Sequence, residues 1–296
     1  MTPNYAFWSV VDSSQVDRLQ CSIRSARQRG VFKDFHVWSD QPIEQAICHP
    51  VPKLDQSTPS FKFTFLRDFV KQLNYDYFVW LGADSYFVRN PGQVLRALHG
   101  SPVHATLEGD ACASNNRAAA WCNCSLSRYA RLMQARGVKN RSVFSVDAGF
   151  WIVHHDVIDR FCDLALDFWE LWKRDGHDPN AVEPALANAV QLLCGNPYQH
   201  TLANNSELWA ADRLGCYRTG LPDGRPWMYE DEFRGDRCLV NPAIVHAIGC
   251  KDLLAATGRR AANRSDHAKL DRYTRVRWEF SGANPEFTFS VDAAVI

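Results

Sequence analysis

No charge imbalance marks this chain. Its 33 Lys and Arg stand against 33 Asp and Glu over 296 residues, a formal net charge of +0. Global charge therefore selects no class of partner. No window reaches the roughly 18 uninterrupted apolar residues of a membrane span. The opening MTPNYAFWSVVDSS has no basic segment running into a long apolar one, so no secretory leader is expected. No internal repeat or low-complexity tract stands out. These absences predict a soluble, cytoplasmic protein. Ten cysteines are present, but no Cys-x2-Cys pair is formed around Cys122-Asn123-Cys124. With only Cys112 and His104 upstream, that spacing is too scattered for a zinc knuckle, and zinc is not expected. In a reducing compartment most of the thiols should be idle.

What is present is an ordinary globular composition, 46% hydrophobic and 22% charged, with mass for one large domain or two small ones. NYAFWSVV (4–11) reads as a buried strand. Ser13 and Ser14 are candidate caps for a helix carrying Val16, Leu19, Ile23 and Ala26 at helical spacing. FHVWS (35–39) is a second strand. FKFTFLRDFVKQL (61–73) is an amphipathic helix with Phe61, Phe65, Phe69 and Leu73 in one stripe. YFVWL (77–81) is a third strand. Strand and helix alternating at this spacing predict an α/β fold, a mixed and mainly parallel sheet flanked by helices. Residues 101–143 are less regular. SVDAGFWIVHHD (145–156) is then a strand turning into a helix, AVEPALANAVQLL (181–193) a further helix, and NPAIVHAIG (241–249) a late strand. Between Arg259 and Arg277 lie seven Lys/Arg and two Asp, a local +5.

Three polar residues fall at strand ends. Asp84 follows YFVWL, His246 ends IVH, and Asp147 precedes AGFWIV. Ligands of open α/β sheets bind beyond the C-terminal ends of the strands. A carboxylate and an imidazole converging there could hold a divalent cation, and the cation a diphosphate. The plainer readings are a turn aspartate, a core histidine and a strand-end turn.

In order and spacing these stretches resemble the GT-A nucleotide-sugar glycosyltransferases. The closest resemblance is to the retaining group of glycogenin and the bacterial lipopolysaccharide galactosyltransferases. The carriers are YAFWSVVDSSQVDRLQCSIRSARQRGVFKDFHVWSD, FKFTFLRDFVKQLNYDYFVWLGADSYFV, FSVDAGFWIV with VEPALANAV, and VHAIGCK. The resemblance implies a domain over 1–254 and a basic extension, 255–296, packing on or closing over the site. It implies a cation, Mn²⁺ or Mg²⁺, held by Asp84 and His246. Donor contacts would come from Val11 and Asp12 at base and ribose, Arg67 on the nucleotide side, and Lys251 at the diphosphate. Asp147 and Glu183 would stand near the transferred sugar. The implied activity is transfer of a hexose from UDP-glucose or UDP-galactose to a hydroxyl, with retention.

The chain departs from that pattern at three places. Gly82 replaces the first Asp of Asp-x-Asp, which weakens the expected metal site. Lys251 is one residue closer to His246, and Asp147 replaces an Asn. Chemically, a cation and a lysine would stabilise charge growing on the leaving diphosphate. Nearby carboxylates would favour oxocarbenium character at the anomeric carbon. Glu183 reads equally well as a first-turn acid complementing a helix dipole.

Acceptor contacts are expected from Trp121, which could stack on a sugar or a base, and from Arg259 and Arg260 in the basic stretch. A glycan is the first expectation for the acceptor. Hydroxymethylated DNA follows closely, as in virus-encoded DNA glycosyltransferases that would work in a host cytoplasm. The rival reading is a binding protein that holds nucleotide sugar without turning it over, and Gly82 favours it. A nucleotidyltransferase is disfavoured because no Gly-rich, basic loop follows the first strand.

Overall fold

The computed structural model describes residues 4–52, 60–95, 101–110, 120–139, 143–195, 208–211, 228–231, 237–240, 242–246, 276–277 and 290–291. In chain order the first strands are β1 (Tyr5–Val10), β2 (Phe35–Trp38), β3 (Ile47–His49), β4 (Tyr77–Leu81) and β5 (Ser85–Phe87). Next come β6 (Val103–Asp110), β7 (Ala120–Trp121), β8 (Cys124–Ser125), β9 (Phe144–His154) and β10 (Trp209–Ala211). The last are β11 (Met228–Asp231), β12 (Arg237–Val240), β13 (Ile244–His246), β14 (Val276–Arg277) and β15 (Ser290–Val291). The helices are α1 (Val16–Gln28), α2 (Phe61–Asp68), α3 (Gly92–Leu95), α4 (Leu126–Ala135), α5 (Ile158–Arg174) and α6 (Glu183–Cys194). The boundary expected at 254 lies outside the described residues.

Six strands form the main sheet in the order β3-β2-β1-β4-β9-β6. The first four are mutually parallel, and β9 runs antiparallel to both neighbours. The mixed α/β sheet expected from the sequence is therefore present. Every residue of β1 and β4 is buried. A strand covered on both faces reads as a continuous apolar run, and YAFWSV and YFVWL do so. On one face Trp8, Trp80 and Trp151 pack with Phe63, Phe65, Phe161 and Leu186 of the helices. On the other, Phe7, Val79 and Ile152 pack with Leu19 and Ile23 of α1.

Chain order places the site. From β1 the chain crosses to β2 on one side, and β4 then returns to the other side of β1. Between β1 and β4 the winding reverses, which opens a crevice at their C-terminal ends. A smaller sheet, β10-β13-β5, stands over this edge. In it β13 runs antiparallel to β5, with His246 opposite Ser85.

Two local expectations are corrected. Ser14 does not cap α1. Asp12 Oδ1 instead accepts both the Ser14 amide (2.8 Å) and its hydroxyl (2.5 Å), an Asx turn ahead of a helix whose cap, Gln15, makes no side-chain bond. The single helix expected over 61–73 ends at Asp68 and resumes as a 3₁₀ turn over Val70–Gln72. Gln72 Nε2 covers the Asp68 carbonyl left open by the break (2.6 Å).

Edge strand β3 is fastened by side chains as well as backbone. Tyr75 donates its hydroxyl to Asp34 (2.6 Å), so its oxygen accepts from His36 Nε2 (3.1 Å). That leaves His36 Nδ1 to accept from His49 Nε2 (2.9 Å). Burial is the main cause lowering the pKa of both imidazoles, with His49 adding to the effect at His36 and Asp34 opposing it. An unfolded chain then takes up protons at higher pH than the folded one. Stability from this network is complete above the free-histidine value of about 6.5 and falls as pH drops below it. Melting temperature should decline between about pH 7 and 5.5, and His49→Gln should flatten that decline. An unaltered slope in the variant would remove the pair as its source.

Candidate active site

Asp84 sits in the turn between β4 and β5. The turn is closed by the Ser85 amide on the Gly82 carbonyl (3.1 Å) and tied to β9 by the Gly82 amide on the Gly149 carbonyl (3.1 Å). The pairing of β5 with β13 brings in His246, whose Nε2 lies 2.9 Å from Asp84 Oδ1. On the other side of the ring, Nδ1 lies 3.8 Å from Asp147 Oδ1. Asp147 is part of β9, and its Oδ1 accepts the Gly149 amide at 2.6 Å. The side chains of Asp84, Asp147 and His246 are only 16%, 9% and 9% exposed, so their charges and dipoles act with little screening by water. The Trp209 ring of β10 backs the imidazole at 5.3 Å between centroids.

Two glycines make room for this group. A Cβ on Gly149 would lie 2.5 Å from His246 Nδ1 and 3.0 Å from Asp147 Oδ1. A Cβ on Gly82 would lie 3.1 Å from Asp84 Oδ1 and 3.4 Å from the Gly149 carbonyl. The position where a first Asp of Asp-x-Asp was expected is thus a narrow place beside the carboxylate that remains. Gly149 was not among the expected site residues. Its signal lay in the register of β4 on β9, where Leu81 faces Phe150, and not in the local sequence.

The other expected residues distribute as follows. Val11 and Asp12 directly follow β1 at the same edge of the sheet, and the Val11 amide is bonded to the Trp38 carbonyl (3.1 Å). Glu183 is half-buried and opens α6, with Pro184 behind it in the first turn. Arg67 is not brought to Asp84. Its guanidinium pairs with Asp68 (3.1 Å) and with Asp163 of α5 (3.4 Å). The first turn of α2 lies against Trp80, near the C-terminal end of β4. The base there is Lys62, whose Nζ lies 4.6 Å over the Trp80 ring. Lys62 carries no signal in the sequence, because helical spacing alone does not tell which turn of α2 meets Trp80.

Trp121 is buried, 7% exposed, and meets Tyr129 edge-on at 4.9 Å. It is a core residue rather than an open platform for an acceptor. Cys122 (φ 49°) and Asn123 (φ 60°) form the two-residue turn between β7 and β8, with the paired positive φ of a type I′ turn. Cys124 Sγ lies 3.5 Å from His177 Nε2, which pairs with Asp175 (2.8 Å), itself held by Arg128. Burial raises the Cys124 pKa, keeping it a thiol. Cys112, Lys251, Arg259 and Arg260 lie outside the described residues. Among those described, no cluster of three or more His, Cys, Asp or Glu is placed to hold a metal ion. Asp84 and His246 supply two.

No protein-family model matches the chain, and no curated protein matches it in sequence. Among solved structures it is similar to WbbM, described as a bifunctional glycosyltransferase in its apo form, with a TM-score of 0.52 and 12% identity. The match covers 84% of this chain and 46% of that one, so this chain spans about half the length of WbbM. At that identity the likeness is one of fold: the mixed six-stranded sheet flanked by helices is shared with a glycosyltransferase. Among the described residues no helix is long and apolar enough to cross a membrane.

Proposed function

We propose that this protein is a nucleotide-sugar glycosyltransferase of the retaining group that includes glycogenin and the lipopolysaccharide galactosyltransferases. It would move a hexose from UDP-glucose or UDP-galactose to a hydroxyl acceptor. The observation carrying this reading is the 2.9 Å approach of Asp84 and His246 at the switch point of the sheet. Asp84 and His246 are the two side chains that would hold Mg²⁺ or Mn²⁺, oxygen and nitrogen donors of the kind such ions accept. Diphosphate oxygens and water would complete the coordination shell. A bound cation supplies charge stabilisation for the departing diphosphate.

The protein's own groups do the rest. Val11 and Asp12, at the end of β1, take the base and ribose. Lys62 in the first turn of α2, with Lys251, offers positive charge to the nucleotide side. Asp147 and Glu183 are the acids beside the transferred sugar. A glycan is the acceptor this reading favours. The basic stretch 259–277 keeps hydroxymethylated DNA in view, with steep salt dependence of acceptor binding as its signature.

A second reading has one observation behind it. The crowding at Gly82 leaves the cation without a first carboxylate, as in a binding protein that no longer turns over its donor. One experiment separates the two: nucleoside diphosphate release from a panel of nucleotide sugars with Mn²⁺, Mg²⁺ or EDTA, with and without hydroxymethylated DNA. Metal-dependent release from one donor is expected. Donor binding by calorimetry without any release would make the protein a binder, and no binding at all would overturn both readings.

A further inference from the structure

We infer that Thr106 is a specificity-determining residue: together with Asp147 it binds hydroxyl groups of the transferred hexose. This rests on the glycosyltransferase reading above and extends its sugar subsite onto β6.

Thr106 is 5% exposed, and its Oγ1 has no hydrogen-bond partner among the described residues. A hydroxyl buried in that state costs free energy, and native structures carry few of them. Its neighbour across the strand pair is Asp147. Residues directly opposed in an antiparallel pair point to the same face, with Cβ atoms about 4.5–5.5 Å apart. Thr106 therefore projects on the side where Asp147 Oδ1 lies 3.8 Å from His246 Nδ1. It stands beside that carboxylate without being bonded to it.

The strand pairing breaks at this residue. Ala105 is opposite Trp151, yet Thr106, the next residue, is opposite Asp147. Ala148, Gly149 and Phe150 are left without partners on β6. They stay with β4, where Phe150 faces Leu81 and the Gly149 carbonyl accepts the Gly82 amide. The sheet thus opens on the β6 side, next to Thr106. Bulges of this kind re-aim side chains beside active sites.

From Asp84 the polar groups run outward in the order His246, Asp147, Thr106. A ligand anchored at Asp84 and His246 and extending across β9 meets a carboxylate and then a hydroxyl. An ionised carboxylate only accepts hydrogen bonds, while threonine both donates and accepts. That pair suits neighbouring hydroxyl groups of a sugar ring. A site built to bond a hydroxyl is left with unpaired polar groups when an analogue lacks it, and so rejects that analogue.

The test is calorimetry on the full chain with UDP, UDP-glucose, UDP-galactose and singly deoxygenated forms of the sugar nucleotide that binds. Thr106→Val keeps the side-chain shape and removes the hydroxyl. It should weaken the intact sugar nucleotide about tenfold and leave UDP unchanged, while Thr106→Ser should bind like wild type. One deoxygenated form should bind wild type about tenfold more weakly than the intact donor and lose nothing further in Thr106→Val. In donor-free protein, Thr106→Val should melt no lower than wild type, because no described residue bonds the lost hydroxyl. A lower melting temperature would make the hydroxyl a structural group and overturn the inference. Unchanged donor affinity in Thr106→Val, or an equal loss for UDP, also overturns it and leaves the glycosyltransferase reading standing. Wild-type protein that binds neither sugar nucleotide overturns both.

Discussion

Asp84→Ala and His246→Ala should each reduce donor turnover by roughly 10²- to 10³-fold while the fold persists. The size follows from the cation's share of the barrier: several kcal/mol of charge stabilisation, at about 1.4 kcal/mol per decade of rate. The two losses should not add, because the two side chains touch at 2.9 Å and either substitution breaks the same proposed cation site. The double variant should therefore resemble the singles. His246 is buried beside Trp209, so its removal also opens a cavity. Asp84→Asn, which keeps the volume, controls for this. Circular dichroism and a melting curve check the fold, and steady-state release of nucleoside diphosphate checks the rate. Undiminished activity in both Ala variants would remove the cation from the mechanism.

Gly149→Ala is expected to be nearly as damaging, although it adds one methyl group and removes no functional atom. The new Cβ would lie 2.5 Å from His246 Nδ1 and 2.6 Å from Cε1. The imidazole must give way by most of an ångström, or β9 must shift where its register with β6 breaks between Asp147 and Trp151. The ring should lose its alignment with Asp84. We expect Mn²⁺ affinity and turnover both to fall at least about tenfold, with a stability cost of about 1–3 kcal/mol for overpacking. Gly82→Ala is the milder comparison. Its Cβ meets Asp84 Oδ1 at 3.1 Å, the mobile end of a side chain that can move a few tenths of an ångström. Equal, small effects from the two substitutions would mean that the ring is not confined as described.

The elements legible in the sequence are those whose burial is nearly uniform along their length. β1, β4 and β9 show long apolar runs because helices cover both faces of the sheet. Asp84, Asp147 and His246 were readable because each interrupts or ends such a run. Less visible was β3, three residues at an edge, with Ile47 and Cys48 exposed. β6 was hidden in a stretch whose small and polar residues do not alternate cleanly. The placement of Arg67 was hidden for a different reason. Its partner Asp163 lies 96 residues away, and no local pattern announces a contact across that distance. Trp121 shows a limit of composition: an indole suits a core and a ligand platform equally well, and only its 7% exposure distinguishes them.

The position of His246 on a strand that joins β5 has a consequence for how the protein is made. The six-stranded sheet whose β4 leads into Asp84 is complete by His154, yet the imidazole facing that carboxylate is 162 residues further along than Asp84. At about 5–20 residues per second, a ribosome delivers it roughly 8–30 s later. A nascent chain can thus assemble its six-stranded sheet early, before the imidazole that will face Asp84 has been made. Until the late strand arrives, the growing polypeptide has a folded platform on which the Asp84–His246 pair does not yet exist.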